Sequence, residues 1–323
     1  MEIERGHAGL APSEHWHETS NMITSGRWPT ARSRRATLRA RVPKALSIPL
    51  AVGFVVALTA CAPPQSYVAL GDSYTAGPVI PVQLDDPAGC LRSDHNYPHL
   101  TAPDSGLPVF RDVSCSGATT ADMTAPQDVT PGPNPPQFDA LDANTAAVSL
   151  TIGGNDIGFV SIAENCSSPV NSGTPCQDRY VVNGDDTISD AIAETAPKVA
   201  AVLQGIHALS PRAKVFVLAY LDILPDDGTG CYPQMPITDG DAPYLRDKEK
   251  ELNAMLKTQA VANGAIFLDT YKLSIGHDAC QLPTVRWVEP IVPVNPAAPI
   301  HPNLAGMQAM ATRLGAAMRR HGV

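Results

Sequence analysis

Short apolar runs alternate along this chain with longer segments of helical periodicity. Residues 66–71, 146–152, 214–220 and 265–269 are continuously apolar or β-branched, as is typical of strands buried on both faces. Residues 109–114 form a weaker fifth run. We therefore predict about five buried strands.

Three segments have the spacing of amphipathic helices: 190–209, 244–263 and 302–320. The last has Pro302 in its first predicted turn and two arginines at its end. Alternating strands and helices predict one domain built on a mostly parallel sheet with helices on both faces. Residues 126–136, 166–186 and 283–302 are predicted to be long surface loops.

Charge divides the chain into two regions. Residues 1–60 contain eight Lys and Arg against four Glu, a net charge of +4, whereas residues 61–323 have a net charge of −13. An acidic region of that size argues against nucleic-acid binding, which needs clustered basic residues. Its 263 residues are enough for one large domain.

The N-terminal region has the pattern of an export signal. Seven basic residues and no acidic one occur in residues 27–44, and residues 45–60 are uncharged and apolar, too short a run for a typical membrane span. The run ends in Leu58-Thr59-Ala60-Cys61, which resembles a bacterial lipobox with Cys61 as the lipidated residue. An ordinary secretory signal cleaved nearby is the alternative.

Export could follow either of two routes. Residues 33–38, Ser-Arg-Arg-Ala-Thr-Leu, resemble a twin-arginine signal, and the general secretory route is the alternative. We predict residues 1–60 as extension and export signal, and residues 61–323 as the working domain. That domain would be anchored by lipid to the outer face of the cytoplasmic membrane, or secreted.

The cysteines agree with export. An even number in an exported chain predicts three disulfides, and six cysteines allow 15 pairings, of which we expect the sequential one. No Cys-x-x-Cys pair is present, which argues against zinc ribbons and thioredoxin-type sites, and we expect neither metal nor cofactor. The six beyond Cys61 are Cys90, Cys115, Cys166, Cys176, Cys231 and Cys280.

Four polar segments lie just after predicted strands or at a helix start. In open α/β sheets, ligand sites lie beyond the carboxyl ends of the strands, so all four could meet at one edge. They are Gly71-Asp72-Ser73, Cys115-Ser116-Gly117-Ala118, Gly153-Gly154-Asn155-Asp156 and His301-Pro302-Asn303.

Such a set is suited to acyl transfer. A serine hydroxyl such as that of Ser73 becomes nucleophilic when an adjacent histidine takes its proton. The tetrahedral intermediate needs donors fixed in advance, which the backbone N–H groups of Ser73 and Gly117 and the side-chain amide of Asn155 could supply. Signatures of α/β-hydrolases, zinc proteases, P-loop enzymes and dinucleotide-binding proteins are absent from the sequence.

The four segments, in this order, resemble the conserved blocks of the SGNH (GDSL-type) serine hydrolases, and the resemblance spans residues 66–306. It implies a three-layer, flavodoxin-like α/β/α fold and metal-independent ester hydrolysis. Ser73 would be the nucleophile, His301 the base, and Ser73, Gly117 and Asn155 the oxyanion hole. Further details resemble the secreted actinobacterial lipase/esterase branch: the segments Gly71-Asp72-Ser73-Tyr74-Thr75-Ala76-Gly77, Asn96-Tyr97-Pro98 and Trp287-Val288-Glu289-Pro290.

One position departs from the pattern. Many members place an Asp three residues before the His, where this chain has Ala298. We expect a backbone carbonyl near Ala298 to orient the imidazole of His301, with the Glu289 carboxylate as the less favoured alternative.

The sequence thus predicts a monomeric, exported serine esterase or lipase whose substrate is a small-molecule or lipid ester. Two alternatives stay open. One is a non-catalytic ligand-binding lipoprotein on the same fold, because lipobox proteins often bind solutes. The other is a narrower enzyme, a carbohydrate acetylesterase or a phospholipase.

Overall fold

A parallel sheet lies at the centre of this computed structural model, which describes residues 65–323. The predicted export signal, the twin-arginine motif and Cys61 lie outside the described residues. The strands are β1 (Ser66–Ala69), β2 (Val109–Asp112), β3 (Thr145–Leu150), β4 (Val181–Val182), β5 (Asp185–Asp186), β6 (Lys214–Leu218) and β7 (Ile266–Leu268).

Eight α-helices surround the sheet in the described part of the chain. They are α1 (Ser73–Ala76), α2 (Tyr97–Thr101), α3 (Phe159–Asn165), α4 (Pro175–Tyr180), α5 (Thr187–Leu209), α6 (Ala242–Ala262), α7 (Thr270–Ser274) and α8 (Leu304–Arg320). Within residues 65–323, none of these is both long and apolar enough to cross a membrane.

All five predicted strands form one parallel sheet in the order β2-β1-β3-β6-β7. From β1 the chain moves outward to β2 and then returns to the other side of β1 for β3. Right-handed crossovers therefore place the helices on opposite faces: α2 packs with α8, and α5 with α6. The three-layer fold is confirmed, and its order reversal opens a crevice beyond the ends of β1 and β3.

The three long predicted helices form, and side-chain caps move the starts of two of them. Asp186 accepts hydrogen bonds from the N–H groups of Ile188 and Ser189, so α5 begins at Thr187. Asn303 caps α8 by accepting from Gly306 N, so Pro302 precedes that helix instead of occupying its first turn.

Two of the predicted surface loops contain more structure than expected. Residues 166–186 include α4 and the antiparallel hairpin of β4 and β5. Residues 283–302 lack helix and strand, yet Arg286, Val288 and Glu289 within them are buried. Arg286 and Glu289 form a buried ion pair, so residues 283–302 are held in one place although they have no regular secondary structure.

The six cysteines form three disulfides, and these follow the sequential order expected. The pairs are Cys90–Cys115, Cys166–Cys176 and Cys231–Cys280. The first lies beside the site described below: Ser116 N donates to Cys90 O at 2.9 Å, next to Gly117. Each bridge closes a loop near the carboxyl edge of the sheet and limits its freedom in the unfolded chain.

Candidate active site

Ser73 is the first residue of α1, which follows β1 after a three-residue turn, and the backbone of that turn is tightly specified. Asp72 caps the helix, with Oδ1 accepting from Tyr74 N at 3.0 Å. Gly71 has a φ of +127°, and a Cβ there would lie 2.4 Å from Thr75 Oγ1 and 2.5 Å from Thr151 O. Only glycine fits, because other residues rarely adopt this φ and would collide with the neighbouring strand. This turn presents the half-buried Ser73 side chain at the crevice.

His301 lies against Ser73 with both ring nitrogens engaged. Its Nε2 is 2.7 Å from Ser73 Oγ, and its Nδ1 is 2.7 Å from Pro299 O. A carbonyl only accepts, so Nδ1 carries the proton and Nε2 is free to accept from the serine hydroxyl. Burial lowers the pKa of His301, and the Pro299 carbonyl offsets this only in part. The imidazole is therefore neutral at neutral pH.

The group that orients the imidazole is Pro299 O, one residue after Ala298, near which the sequence predicted a carbonyl. Ala298 O instead accepts from His301 N at 3.2 Å, which closes a tight turn. That turn leaves the carbonyl of Pro299, the first of the two residues between them, facing the ring. A carbonyl was expected, but a one-residue shift in a turn is beyond sequence analysis.

The Glu289 alternative is wrong, because its buried carboxylate turns away from the imidazole and into the loop. It accepts from Asn303 Nδ2 at 2.8 Å, from Asn295 Nδ2 at 2.8 Å and from Val294 N at 2.9 Å, and pairs with Arg286 at 3.1 Å. Burial alone would raise the pKa of Glu289, but these hydrogen bonds hold it below its ordinary value. Glu289 organises the segment that carries His301.

Backbone contacts then position His301. Glu289 N donates to His301 O and Ile300 N donates to Glu289 O, both at 3.0 Å. The phenol of Tyr74, next to Ser73, donates to Ile300 O at 2.7 Å. Ile300 has a φ of +57°, which is strained for a β-branched residue and persists only where its surroundings hold it. The serine turn and the histidine loop are thus joined by Tyr74 as well as by the Ser73–His301 contact.

The predicted oxyanion donors come together at the same edge. Cys115 N donates to Gly71 O at 3.0 Å, and Asn155 Nδ2 donates to Ala118 O at 2.9 Å, which leaves one amide hydrogen of Asn155 free. In the described part of the chain, the N–H groups of Ser73 and Gly117 have no acceptor. Gly117 has a φ of +81°, which favours glycine there.

Two buried side chains that support the site were missed by the sequence analysis. Gln137 accepts from Gly71 N at 2.7 Å and donates to Gly71 O at 2.9 Å. The hydroxyl of Tyr220 donates to Asp72 and accepts from Gly154 N at 2.7 Å. Burial raises the pKa of Asp72 to about 7. Both residues are more than 60 positions from their partners, so no local pattern reveals them.

A narrow apolar cavity of about 40 Å³ lies beside this site. Its lining includes Ile300, which precedes His301, and Ile157, which follows the Asn155 segment. Two charged residue types also line it, but Lys248 pairs with Asp186 at 2.7 Å and burial raises the pKa of Glu249 well above its ordinary value. The lining of the cavity is therefore mostly apolar. Other lining residues are Phe159, Ile162, Ala163, Ile223, Met235 and Ile237.

A serine and a neutral histidine in contact at the carboxyl edge of a parallel sheet, beside free N–H donors, define a serine hydrolase of the α/β/α class. The chain matches the GDSL-like Lipase/Acylhydrolase family over residues 69–309, and it belongs to that family. The resemblance drawn from the four sequence blocks is confirmed.

Streptomyces proteins are among its relatives. The chain is 41% identical to Lipase 2 of Streptomyces coelicolor over 276 residues. The alignment covers 81% of this chain and 90% of that protein. Solved structures of phospholipase A1 from Streptomyces albidoflavus NA297 and of the extracellular lipase of Streptomyces rimosus align with TM-scores of 0.65 and 0.63. Each is 26% identical, over 78% of this chain and 99% of that one. The protein is a carboxylic ester hydrolase.

The contacts of Glu289 predict a structural role that can be separated from chemistry. In Glu289→Gln, the buried Arg286 loses its counter-charge, so the free energy of unfolding should fall by about 3–5 kcal/mol, measured by urea denaturation. At a temperature where the variant is folded, kcat should stay within a few-fold of wild type. Glu251→Gln, which alters a partly exposed ion pair, should change stability by less than about 1 kcal/mol. A fall in kcat of about 10³ would contradict this assignment.

Proposed function

We propose that residues 61–323 form the catalytic domain of an exported serine esterase that hydrolyses esters of fatty acids. Ser73 is the nucleophile and His301 the general base and acid. The observation that carries the proposal is the 2.7 Å contact between Ser73 Oγ and His301 Nε2, with Nδ1 held by Pro299 O. Family membership and the lipases among its relatives support the same chemistry.

The reaction proceeds in two acyl transfers. Ser73 Oγ attacks the ester carbonyl carbon while His301 Nε2 takes the hydroxyl proton. The resulting oxyanion accepts from the N–H groups of Ser73 and Gly117 and from the free amide hydrogen of Asn155. The intermediate collapses as His301 returns its proton to the leaving alcohol. Water, deprotonated by His301, then attacks the acyl-serine and releases the acid and the free serine.

In the Ser73–His301 pair, a backbone carbonyl bonds the Nδ1 of His301, where many serine hydrolases have a carboxylate. Pro299 O fixes the tautomer of His301 but stabilises the imidazolium less than an ionised Asp would. Because burial lowers the pKa of His301, the base stays available at neutral pH and is lost only on stronger acidification. Two ties on the histidine loop, from Tyr74 and Glu289, keep the imidazole in place without a third catalytic side chain.

The apolar cavity supports an ester with an acyl chain longer than acetyl, because it has room for the first methylenes of such a chain. It starts at the residue before His301 and two positions after Asn155, so an acyl chain on Ser73 would pass between them into the cavity. The mostly apolar lining would let the chain bury methylenes, and burial raises the pKa of the Glu249 carboxyl in that lining well above its ordinary value. Because a phospholipase A1 has a similar fold, a phospholipid is one candidate for this ester. The relatives argue against the non-catalytic binding protein considered above.

Export of this domain is part of the proposal. The basic segment and the apolar run before Cys61 support it, as does the likeness to an extracellular lipase. Lipidation at Cys61 would retain the enzyme on the outer face of the membrane. In that case Cys61→Ala should move the protein from the membrane fraction to the medium in a bacterial host. Unchanged membrane association would exclude the anchor.

Activation of Ser73 can be tested directly by covalent labelling. Purified residues 62–323 exposed to a fluorophosphonate should gain the mass of one adduct, mapped by peptide analysis to Ser73. His301→Ala should abolish labelling because the hydroxyl keeps its proton, whereas His207→Ala, on the remote helix α5, should label as wild type. A folded, disulfide-intact sample without adduct would refute the proposed nucleophile.

The assignment of the cavity predicts a change in chain-length preference. Ala163→Phe fills the cavity from α3, so kcat/KM for an octanoate ester should fall at least tenfold, while that for an acetate ester should stay within about threefold. Val160→Phe, an exposed position on the same helix, is the matched control and should leave both values unchanged. Equal losses on both esters in Ala163→Phe would show that the acyl chain lies elsewhere.

A further inference from the structure

An apolar surface adjoins the loops of the proposed active site and is not used by the mechanism. Six large side chains, each between 39% and 76% exposed, project from the loop after α1, the loop around residue 282, the loop before His301 and the start of α8. We call this surface the apolar rim. Its residues are Val79, Val82, Leu282, Val292, Val294 and Leu304.

The loops of the apolar rim are joined into one surface. Ala298 N donates to Pro78 O at 3.2 Å, and Asn295 Nδ2 donates to Pro283 O at 2.9 Å. Together they line an open groove of about 540 Å³, to which Leu304 also contributes. The rim loops run directly into the catalytic segments, because Gly77 ends the helix that Ser73 begins and Pro299 precedes His301 by two residues.

The six side chains of the apolar rim are uncharged, although the partly exposed carboxylate of Asp94 accepts a hydrogen bond from Val82 N and the domain as a whole is acidic. Residues 77–84, 282–285 and 290–300 contain no Asp, Glu, Lys or Arg, whereas residues 61–323 have a net charge of −13. Arg286 and Glu289, which lie between these segments, are buried and paired with each other. At the groove edge, His95 contacts Asp94. The surface therefore suits an uncharged or zwitterionic partner better than an anionic one.

The backbone of the loop before His301 has few free N–H groups, so little hydrogen bonding to water is lost when the loop enters an apolar medium. Prolines at 290, 293, 296 and 299 have no N–H to desolvate. Four further N–H groups are bonded within the protein: those of Val294 and Asn295 to the Glu289 carboxylate, Ala298 to Pro78 O and Ile300 to Glu289 O. Among residues 290–300, only three N–H groups lack a protein acceptor. Burial of unpaired donors, the main cost of moving a loop into an apolar medium, is thus small here.

We propose that the apolar rim docks onto the surface of an aggregated zwitterionic lipid, such as a phosphatidylcholine bilayer, and places Ser73 at the lipid–water boundary. The inference rests on the proposed function, because a lipid surface is useful to this site only if its substrate is a lipid ester. Docking would let an acyl chain pass from the bilayer into the cavity beside Ile300 without crossing water.

Vesicle sedimentation tests the docking without turnover. Residues 62–323 are used because 78% of this chain matches 99% of the solved phospholipase A1, so a chain of this extent folds alone and lacks the apolar export signal. Carrying Ser73→Ala to prevent hydrolysis, the protein should sediment with phosphatidylcholine vesicles, and less with phosphatidylglycerol vesicles. Adding Val292→Asp and Val294→Asp should lower the partition coefficient at least tenfold.

The matched control is Val261→Asp. Val261 is 67% exposed near the end of α6, just before β7 begins, and so lies at the opposite edge of the sheet. It should leave the partition coefficient within twofold. Thermal unfolding reports the fold of each variant, and Val79→Asp with Val82→Asp tests the other loop if the first pair is unstable.

Three results would overturn the docking. The first is that the protein does not sediment with vesicles. The second is that Val261→Asp lowers the partition coefficient as much as the rim substitutions do. The third is a dimer in sedimentation velocity that the rim substitutions dissociate, because a second copy of the chain would then occupy the rim. Hydrolysis of a dissolved butyrate ester by the enzyme with Ser73 intact separates the proposals. Turnover without vesicle binding refutes the docking alone, whereas no turnover and no label on Ser73 refute the proposed function.

Discussion

The stability of the loop that carries His301 depends on one buried carboxylate that never touches the imidazole. The segment from residue 283 to residue 302 has no helix or strand to define it, so its shape must come from other bonds. Glu289 supplies them: its carboxylate gathers Arg286, Asn295 and Asn303, and its backbone pairs with Ile300 and His301. Buried polar networks, where their hydrogen bonds are satisfied, rigidify the segments they join in one conformation. Here that conformation includes a strained isoleucine and an imidazole aimed at Ser73.

The sheet supplies the complementary half of the site. Strands β1 and β3 are neighbours where the strand order reverses, so the loops that follow them share one crevice. Ser73 comes from the first loop and Asn155 from the second, and Gly117 is brought in by the loop after β2. Side chains buried beneath the crevice, Gln137 and Tyr220, hold these loops through Gly71, Asp72 and Gly154. A rigid scaffold thus keeps the donors in place before any charge develops on a substrate.

Two apolar surfaces meet at this polar centre. Inside, a cavity beginning at Ile300 matches an acyl chain; outside, the apolar rim matches the lipid from which such a chain would come. The loop before His301, residues 290–300, contributes to both the cavity and the apolar rim, because some of its side chains are buried and others are exposed to solvent. The prolines of that loop serve both surfaces, since they stiffen it and remove N–H groups that would otherwise need partners. Substrate recognition and histidine positioning are consequently built from the same stretch of sequence.

The sequence by itself determined the local features. Continuous apolar runs predicted four of the five sheet strands, because strands buried on both faces cannot alternate with polar residues, and a weaker run predicted β2, which the structure leaves only partly buried. The blocks around Ser73, Gly117, Asn155 and His301 indicated the family and the chemistry. They can be found in a sequence because each is a short local motif, such as the glycine turn that directly precedes the nucleophile. What only the tertiary structure decided were contacts between distant segments: Pro299 rather than Ala298 at Nδ1, Glu289 turned into the loop, Tyr74 on Ile300, and Tyr220 on Asp72. Each depends on how loops without regular structure pack, and no periodicity records that packing because its hydrogen bonds join residues far apart in the chain.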